Sequence, residues 1–234
     1  TCSVFWPTTG RHPDIDYLIP EYWTQTKEES LEDAFVRAGS SPEMLEVIRR
    51  HKEVMVERTH PMCDQFVIDC STDILKKYKP DLMMIHPANI DAYRHRYGVF
   101  NDKVDQGIRE TDVWIGQIFE AAEEAGILED FNFVLTSDHG QIQIVRTINL
   151  NRLLLEKGYI QTDADDNLVD WKAFCLGVGT SAHVYLKNKS DKSMAFVKFL
   201  TRTRQRRNIT WRGTFRLSLK QTAIHHLEVH GSCR

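Results

Sequence analysis

Asp91 and His95 stand four residues apart in N-I-D-A-Y-R-H, Asp138 and His139 stand side by side in T-S-D-H-G, and His183 falls in G-T-S-A-H-V-Y. Carboxylates and imidazoles are the donors that zinc and similar divalent metals take from proteins. Five such groups exceed what one catalytic zinc needs and suit two ions. Paired ions are a common means of hydrolysing a phosphate ester, one activating the nucleophile while the other steadies the leaving oxygen. None of these motifs supplies that nucleophile.

Each piece also has a plainer reading. At i and i+4 of a helical turn, Asp91 and His95 share one side and can grip one ion. The same residues could make an ion pair at a helix start, or a solvated basic turn with Arg94 and Arg96. Asp138-His139-Gly140 follows an apolar run, at the kind of strand end that opens on a crevice in α/β folds; a solvated turn is its alternative. His183 taken alone reads as a hydrogen-bonded histidine in a strand. Gly177, Gly179, Thr180 and Ser181 before it hint at a loop drawn close around a ligand. His86, ahead of Pro87, reads as a residue behind the site. His225, His226 and His230 resemble a metal tract but lie in a segment of different composition. Phosphate-loop, dinucleotide and nucleophile-elbow glycine motifs are absent, so kinase-like, redox and triad chemistries have no support.

The elements that must position these groups follow from periodicity and caps. A short strand over Ser3–Phe5 stops at Pro7. Leu31, Ala34, Phe35 and Ala38 mark one face of a helix over 27–38, with Gly39 past its end. Ser41-Pro42 starts a second helix, running to about Glu57. His60-Pro61 starts a third, running to Tyr78, with Phe66, Cys70 and Ile74 inward. The run Asp81–Ile85 suits a parallel strand covered on both faces. A loop with Asn89, Asp91 and His95 follows, then a helix over about 102–125. Val104, Ile108, Thr111, Ile115, Ile118 and Ala122 form its inward stripe. Phe131–Thr136 is predicted as a second buried strand, completing a βαβ unit and hence a parallel sheet. Asn149–Lys157 reads as a short helix, and 171–187 as strand and turn.

The 234 residues suffice for one sizeable α/β domain, and 41% apolar with 27% charged residues is ordinary for a globular chain. No apolar run approaches a membrane span. With no recognisable leader, the cytoplasm is the default expectation. Thr1–Pro7 reads like the middle of a domain, so an upstream portion with its own signal peptide is an open alternative. The five cysteines are widely spaced and lack a C-x-x-C pair, as expected of reduced structural thiols. The net charge of −3 hides a division. Beyond Thr201, seven arginines and Lys220 stand against Glu228 alone. We therefore expect residues 1–200 to form a partial domain and 201–234 to be a basic tail, non-native or disordered. A nucleic-acid partner is not expected, and the oligomeric state is unspecified.

Together these segments resemble the type I phosphodiesterase/nucleotide pyrophosphatase branch of the alkaline phosphatase superfamily. The resemblance rests on V-F-W-P-T-T-G (4–10), L-I-P-E-Y-W (18–23), D-L-M-M-I-H-P-A-N-I-D-A-Y-R-H-R-Y-G (81–98), F-V-L-T-S-D-H-G (133–140) and G-T-S-A-H-V-Y-L (179–186). It implies an alkaline-phosphatase-like α/β fold with a mostly parallel central sheet flanked by helices. It further implies a hydrolase of phosphodiester or pyrophosphate bonds, with nucleotide-type small-molecule substrates. Two divalent ions, most often zinc, are implied, one held by Asp91, His95 and His183 and the other by Asp138 and His139. The family's Thr or Ser nucleophile, and a further Asp ligand, have no match in this sequence. The implied alternatives are phosphonate or sulfate ester hydrolysis, phosphomutase chemistry, or an inactive fragment acting only in binding.

Overall fold

The computed structural model describes residues 1–21, 23–55, 59–143, 149–178, 181–187, 215–218 and 226–230. They divide into two compact units, residues 1–143 and 144–234.

The first unit is built on a small, wholly parallel sheet. Strand β1 (Cys2–Val4) lies between β2 (Tyr17–Ile19) and a later strand, so Val4 aligns with Ile19 on one side and Ile85 on the other. Between the two outer strands run α1 (Leu31–Ala38), α2 (Pro42–His51) and α3 (Met62–Tyr78), before β3 (Met83–Ile85) completes the order β2-β1-β3. Parallel neighbours require such crossovers, because no tight turn can join them. Helix α1 starts where Ser30 and Asp33 form a reciprocal capping box. It ends at Gly39, whose φ of 105° suits a residue without a Cβ. The second helix is shorter than the sequence suggests: after His51 the chain tightens into a 3₁₀ turn, Lys52–Met55. Ser41 holds its N-cap position but makes no capping bond. On α3, Phe66, Cys70 and Ile74 are buried as their spacing requires, against Val4, Ile19, Phe35, Met44 and Ile48.

Helix α4 (Asn89–Tyr97) follows β3, and α5 (Asp102–Glu124) packs along α3. Asp91 and His95 therefore sit on a helix and not in a loop. The inward face of α5 is turned from the expected stripe. Trp114 is 4% exposed while Ile108 is 50% exposed. The rotation has a local cause. Trp114 packs in one cluster with Ile68 and Leu75 of α3, and its indole N–H donates to Gln65 Oε1 at 2.8 Å. Two turns earlier, Gly107 receives the Tyr93 ring so closely that an added Cβ would lie 2.9 Å from it.

The strand expected over Phe131–Thr136 does not form. Among the described residues β3 pairs only with β1. The segment is held through rings instead, Phe131 and Phe133 resting on Phe119 at 5.7 and 5.2 Å between centroids. Without a ladder, Val134 and Leu135 stay 83% and 69% exposed.

In the second unit, α6 (Leu150–Glu156) is followed by an antiparallel pair, β4 (Ile160–Thr162) and β5 (Leu168–Trp171). Next comes the hairpin of β6 (Ala173–Val178) and β7 (Ser181–Leu186), then β8 (Phe215–Ser218) and β9 (His226–His230), in the sheet order β6-β7-β9-β8. Its core gathers Leu154, Ile160, Ala173, Cys175, Ala182 and Val184. The Asn151 side chain locks α6 to β6, donating to the Cys175 carbonyl at 2.8 Å and accepting its N–H at 2.7 Å. Strands β8 and β9 fall inside the basic 201–234 segment. Cys2, Cys63, Cys70 and Cys175 are buried and outside any disulfide, as their spacing implied. Burial pushes the Cys2 thiol up to about 12 and the Cys175 thiol to about 11, so neither ionises near neutrality.

Candidate functional site

The chain leaves β3 at Ile85, crosses His86-Pro87-Ala88, and enters α4 at Asn89. Asn89 is buried and anchors that entry on α5, donating to the Gly107 carbonyl at 3.0 Å and to Glu110 Oε2 at 3.1 Å. One turn along, the Tyr93 hydroxyl donates to the same Glu110 oxygen at 3.1 Å. Burial and the adjacent Glu110 push the Tyr93 pKa well above the usual phenol value, so it remains a donor. With Asn89 and Tyr93 turned to α5, the i, i+4 pair Asp91 and His95 is left partly exposed. Asp91 Oδ1 and His95 Nε2 are 3.5 Å apart.

The second pair sits beyond the unpaired 131–136 segment. Ser137 Oγ donates to the His139 carbonyl at 2.6 Å, and the His139 N–H donates to Asp138 Oδ1 at 2.8 Å. Asp138 Oδ2 and His139 Nε2 lie 3.3 Å apart. Two glutamines absent from the sequence reading tie this loop to α4. Gln141 Nε2 donates to Asp91 Oδ1 at 2.7 Å, and Gln143 Oε1 accepts from the Val99 N–H at 3.2 Å. Neither lies in a recognisable motif, so only their proximity to the motifs could have flagged them. His86 stands behind this loop as expected, its Nε2 3.9 Å from Asp138 Oδ2 and its ring edge-on to Trp6. The His86 Nδ1 is buried without a hydrogen-bond partner.

His183 belongs to the other unit. It lies on β7 opposite Leu176 of β6 and Glu228 of β9, between the buried Ala182 and Val184. Residues 179 and 180 of its preceding loop, and His225, lie outside the described residues.

Do these groups fit divalent metal? Bonds of about 2.0–2.1 Å at tetrahedral angles place two donor atoms about 3.3 Å apart. The 3.5 Å of Asp91–His95 and the 3.3 Å of Asp138–His139 match that bite. Both pairs combine a carboxylate with an imidazole, which suits zinc in kind. Among the described residues no three His, Cys, Asp or Glu side chains converge as a ligand group.

A further ionisable pair lies beneath α4. Asp64, in the first turn of α3, is 2.6 Å from His60 Nδ1 and holds the imidazole's pKa above the ordinary histidine value, with burial opposing the shift. A histidine pKa raised by folding stabilises the native state below the unfolded pKa and loses that contribution as pH rises through the folded value. The urea midpoint of the native chain should therefore exceed that of His60→Gln at low pH, with the gap narrowing as pH climbs past the histidine range. A gap that is constant or widens with pH would reject the pairing.

Among the described residues, no helix is long and apolar enough to cross a membrane. Comparison with known proteins completes the picture. Residues 1–218 match the family described as type I phosphodiesterase/nucleotide pyrophosphatase. An ectonucleotide pyrophosphatase/phosphodiesterase of Caenorhabditis elegans is 31% identical over 83 residues, 32% of this chain and 11% of the relative. Ectonucleotide pyrophosphatase/phosphodiesterase 1 of Saccharomyces cerevisiae is 27% identical over 78 residues, 31% of this chain and 10% of the relative. An uncharacterised pyrophosphatase/phosphodiesterase of Schizosaccharomyces pombe is 28% identical over 68 residues, 29% of this chain and 14% of the relative. The chain thus spans about a seventh or less of the length of these relatives. No solved structure matches it significantly. With the family matched over most of its length, and a parallel α/β core carrying the Asp-His pairs, this chain belongs to the type I phosphodiesterase/nucleotide pyrophosphatase family.

Proposed function

We propose that this chain carries metal-binding residues of a hydrolase that cleaves phosphodiester or pyrophosphate bonds in nucleotide-type substrates. One divalent ion, zinc by the kind of its donors, would be held by Asp91 and His95, and a second by Asp138 and His139. When bound, such ions lower the pKa of an attacking hydroxyl and neutralise charge on the leaving oxygen. The chain's own residues prepare that chemistry. Gln141 engages one oxygen of Asp91 and so restricts its carboxylate to one rotation. The His139 N–H does the same for Asp138, with the His86 imidazole behind it.

The observation that carries this reading is the Gln141–Asp91 hydrogen bond, because it links the helix of one pair to the loop of the other. The family match and the relatives' names favour a nucleotide phosphoester over other esters. The family's Thr or Ser nucleophile and a sixth ligand have no match among these residues. Metal uptake should therefore exceed what turnover reveals. Plasma emission spectroscopy should find about one to two zinc per chain. Hydrolysis of bis-(p-nitrophenyl) phosphate with added zinc should be weak or absent. A chain that takes up no zinc would sink the metal assignment. Robust turnover lost in Asp91→Ala would instead show that these residues suffice for hydrolysis, with the Asp91 site supporting it.

A further inference from the structure

Helix α4 carries Asp91 and His95 yet has no cap of its own, since the Ala88 side chain can accept nothing from its first amides. What meets that helix start is a carboxylate from another element. Asp64 of α3 has a side chain only 3% exposed, and its two oxygens go to different places. Oδ2 accepts from His60 Nδ1 at 2.6 Å, and Oδ1 accepts from the Ala88 N–H at 2.6 Å, reaching across 24 residues of sequence. A buried carboxylate is retained only where such partners compensate its lost hydration. A negative group at a helix N-terminus is also favoured by the aligned peptide dipoles.

The Ala88 N–H marks the point where the chain stops following β3 and starts to wind. The Ala88 carbonyl then receives the Ala92 N–H at 3.0 Å, closing the turn that contains Asp91. Asn89, beside it, fixes the helix against α5. Two independent anchors thus meet at one turn, one from α3 and one from α5. Rotation of that turn about the α4 axis would swing Asp91 and His95 together.

We propose that Asp64 is a positioning residue: through the Ala88 amide it sets the orientation of the turn that presents Asp91 to the metal. The proposal rests on the metal reading above for its consequence, but its geometric part stands alone. Loss of a partner that orients a metal ligand typically weakens metal affinity about 10- to 100-fold. The full chain should be titrated with cobalt(II), whose visible absorption reports ligand geometry. Asp64→Ala should weaken uptake by about that factor, and Asp64→Asn, which keeps an oxygen for Ala88, should recover most of the loss. In the Asp91→Ala background, Asp64→Ala should have a smaller further effect, because only His95 is left for the turn to present. Additive losses, or equal losses in the Asn and Ala variants, would overturn the proposal. Amide hydrogen exchange supplies a readout that needs no metal. The Ala88 and Ala92 amides should exchange at least about tenfold faster in Asp64→Ala, while the amides of α5 hold their rates. Unchanged protection at Ala88 and Ala92 would also overturn it. If the native chain takes up no cobalt, the metal assignment falls, and the exchange rates still decide whether Asp64 holds this turn.

Discussion

Asp91→Ala is expected to lower the zinc affinity of this chain by about 100-fold or more, beyond the 10- to 100-fold typical of losing a partner behind a ligand. The substitution removes the anionic member of the Asp91–His95 pair and leaves the imidazole alone on that face of α4. It also strips Gln141 Nε2 of its acceptor, and that side chain already holds a buried oxygen without a partner. The loop carrying Asp138 and His139 should therefore loosen as well. Asp91→Asn separates the two effects. An amide oxygen still accepts from Gln141, so the loop stays docked, but the charge is gone. Competition against a chromophoric chelator measures both variants. Equal affinity for the native chain and Asp91→Ala would remove Asp91 from the metal site, whatever becomes of Asp138 and His139.

The second large effect is on stability. Phe66→Ala should cost about 3–5 kcal/mol, the range for deleting a buried aromatic whose space cannot collapse. Phe66 is 0% exposed. Its ring sits between Phe5 and Phe35, with centroids 5.9 and 6.3 Å away. Phe5 follows β1 and Phe35 belongs to α1, so the three rings join sheet, first helix and third helix in one cluster. The cavity would open at the place where α3 meets the sheet, and α3 is the helix that carries Asp64. Phe119→Ala is the control of the same size change, because Phe119 touches the 131–133 segment at the surface and should cost much less. Urea unfolding of the full chain compares the two. A Phe66→Ala loss under about 1 kcal/mol would mean that this cluster is not the core of the first unit.

Several features were legible in the residues alone, each because a local rule sets it. The i, i+4, i+8 spacing of Phe66, Cys70 and Ile74 dictates which side of α3 turns inward, wherever that helix packs. Four apolar residues in a row before His86 specify a strand, but not its coverage: β3 is an edge strand, its three residues half-buried and Leu82 56% exposed. Gly39 supplies the positive φ that ends α1. Asp91 and His95 share a helix face by spacing, although the helix itself was read as a loop, since Asn89–Tyr97 has no apolar stripe to announce it. The Asp-His pairs were visible because carboxylate and imidazole together are chemically distinctive.

Tertiary structure decided the rest, for a common physical reason: a choice between partners depends on groups remote in sequence. Periodicity allows α5 to bury either the Ile108 side or the Trp114 side. Gln65, 49 residues away, accepts from the indole and selects Trp114. Phe131–Thr136 has every local mark of a strand, but a strand exists only through its neighbour's hydrogen bonds. Here Phe119 claims its rings. Gln141 and Asp64 carry no motif at all. They matter because folding brings an amide to Asp91 and a carboxylate to Ala88, contacts spanning 50 and 24 residues that no local pattern encodes.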